Sequence, residues 1–540
     1  MLDYLGKRGS PRDLAKSYKQ SPPYLGNSVM TSMSQEKKED KSRRSFIKYA
    51  GAGVVVVAVA GAGAYYATQP APTATQTTTA TTVAPVTTVA PATTMAATTA
   101  AKAPFANLTF WTFGGMSTEG QMWQDFADLY TKAGLGSITR TEQSWATKRE
   151  VLTTAYLDGT GPDIVLFDEA TIPDLVAMNA LKPLDDLASA DEIKKLKDLY
   201  VPIYVDTSSY QGKWYGCGNL SSLGPVVSCY DKIFAEFGKV DADGKAIPPK
   251  NWDEALELAK LMNTSDHYGA VIPCTQGTND LNIFEIQCQM NGGRWTTPDG
   301  KTATCNDPGF IDTLDFYTKM AKYMPPGILE MDYMKTTELL SQGKAAMSIA
   351  WQWVMDIVYE WGIRSFGPDS VMSYHPYCNN PSPSGSNSIP SINTEQCCYE
   401  VMRARGKDMA AESDMAAKWQ FMQYITQPTN LDPWGGQPYI LDPAGNQVPV
   451  KATVGRTPTA KHAFTTDSFK NMWPAFYQGY ADGSLFKNAI SKPIFLGLDG
   501  CEKALGPEFQ AAIAGKKTAA DAMKNVQALA QKVLDGIYKS

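Results

Sequence analysis

Short apolar runs alternate with stretches of helical period from Leu108 to the end of the chain, and each run stops at a turn or a polar tip. The first, "LTFWTFGG" from Leu108 to Gly115, alternates its apolar positions and halts at Gly-Gly. That pattern predicts a strand whose end, Phe113, Gly114 and Gly115, lets backbone approach a ligand. Thr118 and Gln121 follow with capping-box spacing, and Met122, Trp123, Phe126, Leu129 and Tyr130 share one helical face before Gly134. A second unit passes through Gln143 and Trp145 into another helix. The third run, Ile164 to Phe167, is continuous and lies between Gly161-Pro162-Asp163 and Asp168-Glu169. It predicts a strand buried on both faces. In open α/β sheets ligands bind beyond the carboxyl ends of such strands, which makes Asp168 and Glu169 candidate contacts.

The same alternation continues downstream. "PPKNWDEALELAKLM" (248–262) predicts a helix capped by Asn251, with Glu254 reaching back and Trp252, Ala255, Leu256 and Ala259 buried. "YGAVI" (268–272) predicts a strand, and Pro308 opens a helix at its first position. Met415, Trp419, Met422 and Ile425 mark one apolar helical face; Thr518 caps another that carries Met523, Val526, Ala530, Val533 and Ile537.

The first hundred residues follow different rules. Residues 1–41 are polar without a sustained period and are expected to be disordered or to precede the true start, for which Met30 and Met33 are candidates. "SRRSFIK" (42–48) leads into an apolar Gly/Ala/Val run to about Ala67, the pattern of a twin-arginine export signal. Residues 42–67 are thus a signal or, if uncleaved, a membrane anchor; no Cys follows to carry a lipid. Residues 68–103 are almost wholly Thr, Ala, Pro and Val and cannot build a core. They suit a stalk, which at about 3.1 Å per extended residue would reach roughly 110 Å. A stalk favours a protein tethered to the outer face of the cytoplasmic membrane.

At 540 residues the chain exceeds one core, which favours two lobes. A net charge of −6 and the lack of a basic face beyond Lys48 exclude a nucleic-acid footprint. Nine Cys show no zinc spacing, and with three His the sequence predicts no metal and no cofactor. In an exported domain Cys217 with Cys229, or Cys378 with Cys397 or Cys398, are candidate disulfides.

Several stretches resemble the extracellular solute-binding proteins of ABC importers, specifically the maltose-binding-protein-like carbohydrate class. They are "GPDIVLFDEATIPDLVAMNALKPLDDL" (161–187), "YGCGNLSSLGPVVSCYDKIFAEFG" (215–238), the Asn251 helix start and "LLSQGKAAMSIAWQWVMDIV" (339–358). The resemblance covers residues 104–540 in the family's order. It departs at Cys217-Gly218, at Asp231, at Cys397-Cys398 and at Gly224, where some maltodextrin binders place an acidic sugar contact. It implies an α/β, two-lobed periplasmic-binding-protein fold with three interlobe crossings. Lobe 1 would take 104–222 and 400–434, and lobe 2 would take 223–399 and 457–540. The crossings would lie after Tyr215, after the loop 375–396 and within 433–458.

The function implied is capture of a small solute, most simply a mono- or oligosaccharide, between the lobes by a monomer that delivers it to ABC permease subunits. By position Trp353 falls where maltose-like binders stack a tryptophan, with Gln352 and Trp351 beside it. Trp145 and Trp434 are further candidate platforms. Asp168, Glu169, Gln143, Gln352 and Asn219 are candidates for bonding hydroxyls; Ser222 and Tyr399 complete the set. A glycosidase needs two carboxylates facing across a bond, whereas Asp168 and Glu169 are adjacent, and no hydrolase motif occurs. No catalytic residue is therefore assigned. The remaining alternative is a structural cell-surface protein, suggested by the stalk.

Overall fold

The computed structural model describes residues 105–113, 117–224, 226–351, 353, 373–375, 393–402, 414–450, 457–487 and 489–539. The expectations for residues 1–41, 42–67 and 68–103, for Gly114, Gly115 and Gln352, and for 376–392 lie outside them.

The first strands and helices form where the pattern of apolar positions places them. β1 (Asn107–Phe113) is followed by α1 (Ser117–Lys132), β2 (Ser137–Gln143), α2 (Lys148–Asp158) and β3 (Ile164–Asp168). All five residues of β3 are buried. α1 buries Met122, Trp123, Phe126 and Tyr130, as its period requires. Gln121 does not reach back to a cap; its amide donates to Asp125 Oδ1 at 2.9 Å, one turn ahead. α3 (Ile172–Ala177) and β4 (Leu181–Lys182) follow.

β5 (Gly216–Gly224) is buried throughout and runs directly into β6 (Val226–Cys229), which belongs to a second sheet. That sheet is completed by β7 (Tyr268–Val271), β8 (Ala345–Ala350) and β9 (Ser373–His375). Its helices are α4 (Trp252–Leu261), α5 (Thr278–Met290), α6 (Pro308–Met320) and α7 (Tyr333–Ser341). Asn251 Oδ1 caps α4 by accepting from Glu254 N at 2.9 Å, and Trp252 stacks on Phe316 at 4.7 Å. Such a pair adds about 0.5–1.5 kcal/mol beyond its area burial. Gly343, at φ 66°, makes the turn from α7 into β8.

β10 (Asn393–Met402) returns to the first sheet, followed by α8 (Met415–Ile425), β11 (Thr457–Pro458) and β12 (Ile490–Ser491). Eight strands thus run β11-β5-β10-β3-β1-β2, with β12 and β4 also pairing β10. β1, β2 and β3 are parallel, and β10 is antiparallel to β3 and β5. The second sheet runs β9-β6-β8-β7. α9 (Leu498–Ile513) and α10 (Ala519–Tyr538) close the chain against the second core.

The third passage between lobes therefore lies between Ser491 and Leu498, not within 433–458. The Pro/Gly-rich text of that stretch resembles a linker, but Trp434 and Ile440 are buried in the first core. Phe464, Phe469, Trp473, Phe476 and Leu485 then pack on Val201, Tyr204 and Leu223 of the same lobe. Residues 457–491 belong to lobe 1. The disulfide between Cys217 and Cys229 is also absent: the two are buried in different cores, and neither they nor Cys398 are in a disulfide.

Candidate functional site

The strand ends of the first lobe meet the second lobe directly. Ala170, just beyond β3, packs into the second core, and Ala177 of α3 packs on Leu496 and Ile537. Asp168 and Glu169 are consequently buried. Asp168 lies between Lys148 and Lys492, with Lys492 Nζ 3.4 Å from Oδ1. Burial pushes its carboxyl up, but the two lysines outweigh this and hold it well below the usual carboxylate range. Lys148 also sits over the Trp145 ring at 4.2 Å. Phe113 backs this corner, 4.9 Å from Phe167 and 6.1 Å from Trp145, and Gln143 ends the neighbouring strand half-buried.

Asn219, midway along β5, is fixed from two sides. Its Oδ1 accepts from Tyr399 Oη at 3.0 Å and from Trp434 Nε1 at 2.9 Å, while its buried Nδ2 has no protein partner. An amide oriented by its oxygen and left with unpaired N–H groups is a preset donor. Trp434 itself is a core residue beside Trp123, not an exposed stacking surface.

Trp351 differs from expectation in the same way. It is 1 % exposed and lies over the backbone of Gly224, where an added Cβ would stand 2.7 Å from its Cε3. Any side chain at position 224 would collide with that indole. Trp353 is half-buried, edge-on to Tyr333 at 5.0 Å, and its backbone N–H donates to Ser222 Oγ at 3.1 Å. Ser222 lies on β5 and Trp353 follows β8, so this bond joins the lobes.

Sequence reasoning missed a charged junction across the same boundary. Arg149 of α2 lies 3.1 Å from Asp499 and 3.2 Å from Glu502, both on α9. Asp174 of α3 accepts from Gly497 N at 3.2 Å. Glu285 of α5 adjoins the junction, its Oε1 accepting from Trp295 Nε1 at 3.2 Å. Burial, then Glu502, pushes Glu285 well above the ordinary carboxylate range; burial also raises Glu502 against the pull of Arg149. The available signal was Glu285 on an apolar helical face with Leu281, Phe284 and Cys288. No group of three or more metal-ligating side chains occurs among the described residues.

Residues 114–384 match the model of the bacterial extracellular solute-binding protein family, half of the chain. A probable amino-acid ABC transporter periplasmic-binding protein of Sinorhizobium fredii is 26 % identical over 104 residues. That match spans 19 % of this chain and only 24 % of the relative. Among solved structures, maltose-bound MalE3 of T. maritima is 15 % identical, covering 79 % of this chain and 99 % of its own at a TM-score of 0.61. A Thermotoga lettingae solute-binding protein with bound α-D-tagatose is 19 % identical, covering 79 % and 100 % at 0.62. The maltotriose-bound MalE domain of Bdellovibrio bacteriovorus is 19 % identical, covering 79 % and 99 % at 0.61. These likenesses establish the two-lobed fold.

Proposed function

The chain belongs to the bacterial extracellular solute-binding proteins, and from that premise we propose that it captures a small hydroxylated solute between its lobes and delivers it to ABC permease subunits. The solute class is a mono- or oligosaccharide or a related polyol. The observation that carries this reading is the junction of Trp353 with Ser222: a half-exposed indole at one lobe's strand exit is anchored on the other lobe's strand. An aromatic face excludes water from the C–H face of a sugar, and Asn219 Nδ2, the one side of that amide without a protein partner, supplies a donor for a hydroxyl. The maltose, tagatose and maltotriose held by similarly folded proteins support the ligand class.

The protein acts as a receptor rather than a glycosidase. Asp168 is locked between Lys148 and Lys492, and Glu169 is its chain neighbour, so this pair does not face across a glycosidic bond. Incubation with a sugar panel tests the reading. A raised melting temperature with the sugar recovered unchanged supports it; cleavage products, or no stabilisation by any member, refute it.

Export by the twin-arginine route, with the 42–67 segment retained as an anchor and 68–103 as a stalk, completes the proposal for a monomer at the outer face of the membrane. Among the described residues seven buried cysteines, from Cys217 to Cys501, form no disulfide. Cores that enclose reduced thiols suit a chain that finishes folding in the cytoplasm before it is exported.

A further inference from the structure

The loop after β7, the starts of α5 and α7 and the exit of β8 meet at one end of the second sheet. β7 and β8 are parallel, so the loop carrying Thr275 and the exit carrying Trp353 leave the sheet at the same end. α5 starts there because it follows that loop; α7 starts there because the turn at Gly343 brings it into β8 from the opposite end. Hydrogen bonds tie the meeting point together. Asp280, in the first turn of α5 and 1 % exposed, accepts from Thr275 Oγ1 with one carboxylate oxygen and from Tyr333 N at 3.2 Å with the other. Tyr333 opens α7, and its ring stands 5.0 Å from that of Trp353 at 83°. A perpendicular ring covers at most one face of an indole, so it fixes the plane without enclosing it. The Trp353 backbone is held separately, by Ser222 of the first lobe. Burying a carboxylate is costly, and starting α7 does not require it. Asp332 already caps that helix, its Oδ1 accepting from Lys335 N at 2.9 Å. The bond from Tyr333 to Asp280 therefore ties two helices together rather than starting one.

We propose that Asp280 is a positioning residue for the solute platform: through Tyr333 it sets the plane of the Trp353 indole. The proposal rests on the solute-receptor reading and adds to it the brace that orients the ring. Asp280 acts through Tyr333 rather than by touching the solute. Its two oxygens fix the start of α7 to the loop after β7, that start fixes the Tyr333 ring, and the Tyr333 ring fixes the indole. Without the carboxylate, Tyr333 N turns to water and the first turn of α7 loosens. The indole then samples planes that do not lie along a sugar ring, and binding has to order it again.

Calorimetric titration of the full chain at about pH 8, where Asp280 is ionised, tests this with maltose, maltotriose and D-tagatose, the sugars held by the similarly folded proteins. Asp280→Ala is expected to weaken each sugar that binds by about tenfold, the worth of one hydrogen bond. Asp280→Asn keeps an acceptor for Tyr333 N and should stay within about twofold of wild type. Tyr333→Ala should itself cost about tenfold, and adding Asp280→Ala to it no more than about twofold further. Near-UV circular dichroism of the unliganded protein reads the ring directly. The Trp353 band, taken as wild type minus Trp353→Ala, should shrink in Asp280→Ala and persist in Asp280→Asn. Thr275→Val removes the hydroxyl that holds Asp280; it should shrink the same band, and it carries the test if Asp280→Ala does not fold. An unchanged band and affinity in the folded variant overturns the brace and leaves the receptor standing. So does a loss in Asp280→Asn as large as in Asp280→Ala, or a full further tenfold loss on adding Asp280→Ala to Tyr333→Ala (about 1.4 kcal/mol). Binding of none of the three sugars overturns the carbohydrate reading, and the dichroism band then decides the brace by itself.

Discussion

Replacing Arg149 with Met isolates the energy that holds the lobes together. Methionine keeps most of the apolar stem but removes the bonds to Asp499 at 3.1 Å and Glu502 at 3.2 Å. A charge-assisted hydrogen bond contributes about 1.5–3 kcal/mol, and stranding a buried partner costs more. Asp499 is 31 % exposed and its share shrinks toward the value of a surface pair, whereas Glu502, at 3 %, keeps its full share. The loss should therefore be about 2–4 kcal/mol, most of it from Glu502. Arg149 stands on one lobe and both acceptors on the other, so the loss falls on the joined state. Separation of the lobes hydrates Glu502 and relieves it. Solute affinity should fall by roughly 30- to 1,000-fold, and the radius of gyration of the unliganded variant should rise in solution scattering. Its urea midpoint should move little, since neither core loses a contact. A variant that loses the whole 2–4 kcal/mol in a urea melt while affinity and radius stay as in wild type would refute this reasoning (about the energy of breaking one buried pair).

Trp353→Ala should lower solute affinity by about 2–4 kcal/mol, the range of an aromatic hot spot, because the ring is only partly buried at the strand exit and meets Tyr333 edge-on. Titration beside a denaturant melt checks it: a loss of about 3–5 kcal/mol in stability with unchanged affinity would mark a core residue. Asp280 is pushed up to about 6 by burial, which outweighs its bond from Thr275, with Asp332 adding to the rise. A folded pKa above the ordinary 3.8 means the stabilising proton is fully held below 3.8 and lost as pH rises through about 6. Stability should fall over that interval by about 3 kcal/mol from this group, and Asp280→Asn should flatten the slope in urea melts at pH 4 and 6.5. With residues 42–67 retained as the proposed anchor, the protein should sediment with membranes and be released by proteolysis within 68–103 with its solute binding intact. Mature protein found only in the soluble fraction, beginning near Tyr65, would rule the anchor out.

What the sequence revealed, and what it hid, divides by the range of the interactions. Ile164 to Phe167 declared itself a buried strand because burial on both faces leaves a continuous apolar run. Asn251 declared its helix because a cap acts over three residues. Trp351 and Trp353 stand two apart, yet one is core and the other half-exposed. The difference depends on the close approach of Gly224 from another strand, which no local pattern carries. The stretch 433–458 was mistaken for a crossing because Pro and Gly mark irregular backbone, whichever lobe it packs on. Arg149 and Glu502 are separated by 353 positions, so their pairing exists only in the folded chain. The fold was legible through local periods and family-like stretches; the polar site was assembled at long range and was not.

Hydrogen exchange of the full chain with and without its best-bound sugar tests most directly whether the solute is held between the lobes. Added sugar should slow exchange in both lobes together, at Gln143–Arg149 and Asn219–Gly224 of the first and at Asn282–Trp295 and Ala350–Trp353 of the second. Protection confined to one lobe, or exchange that is unchanged across both at saturating sugar, would contradict the account.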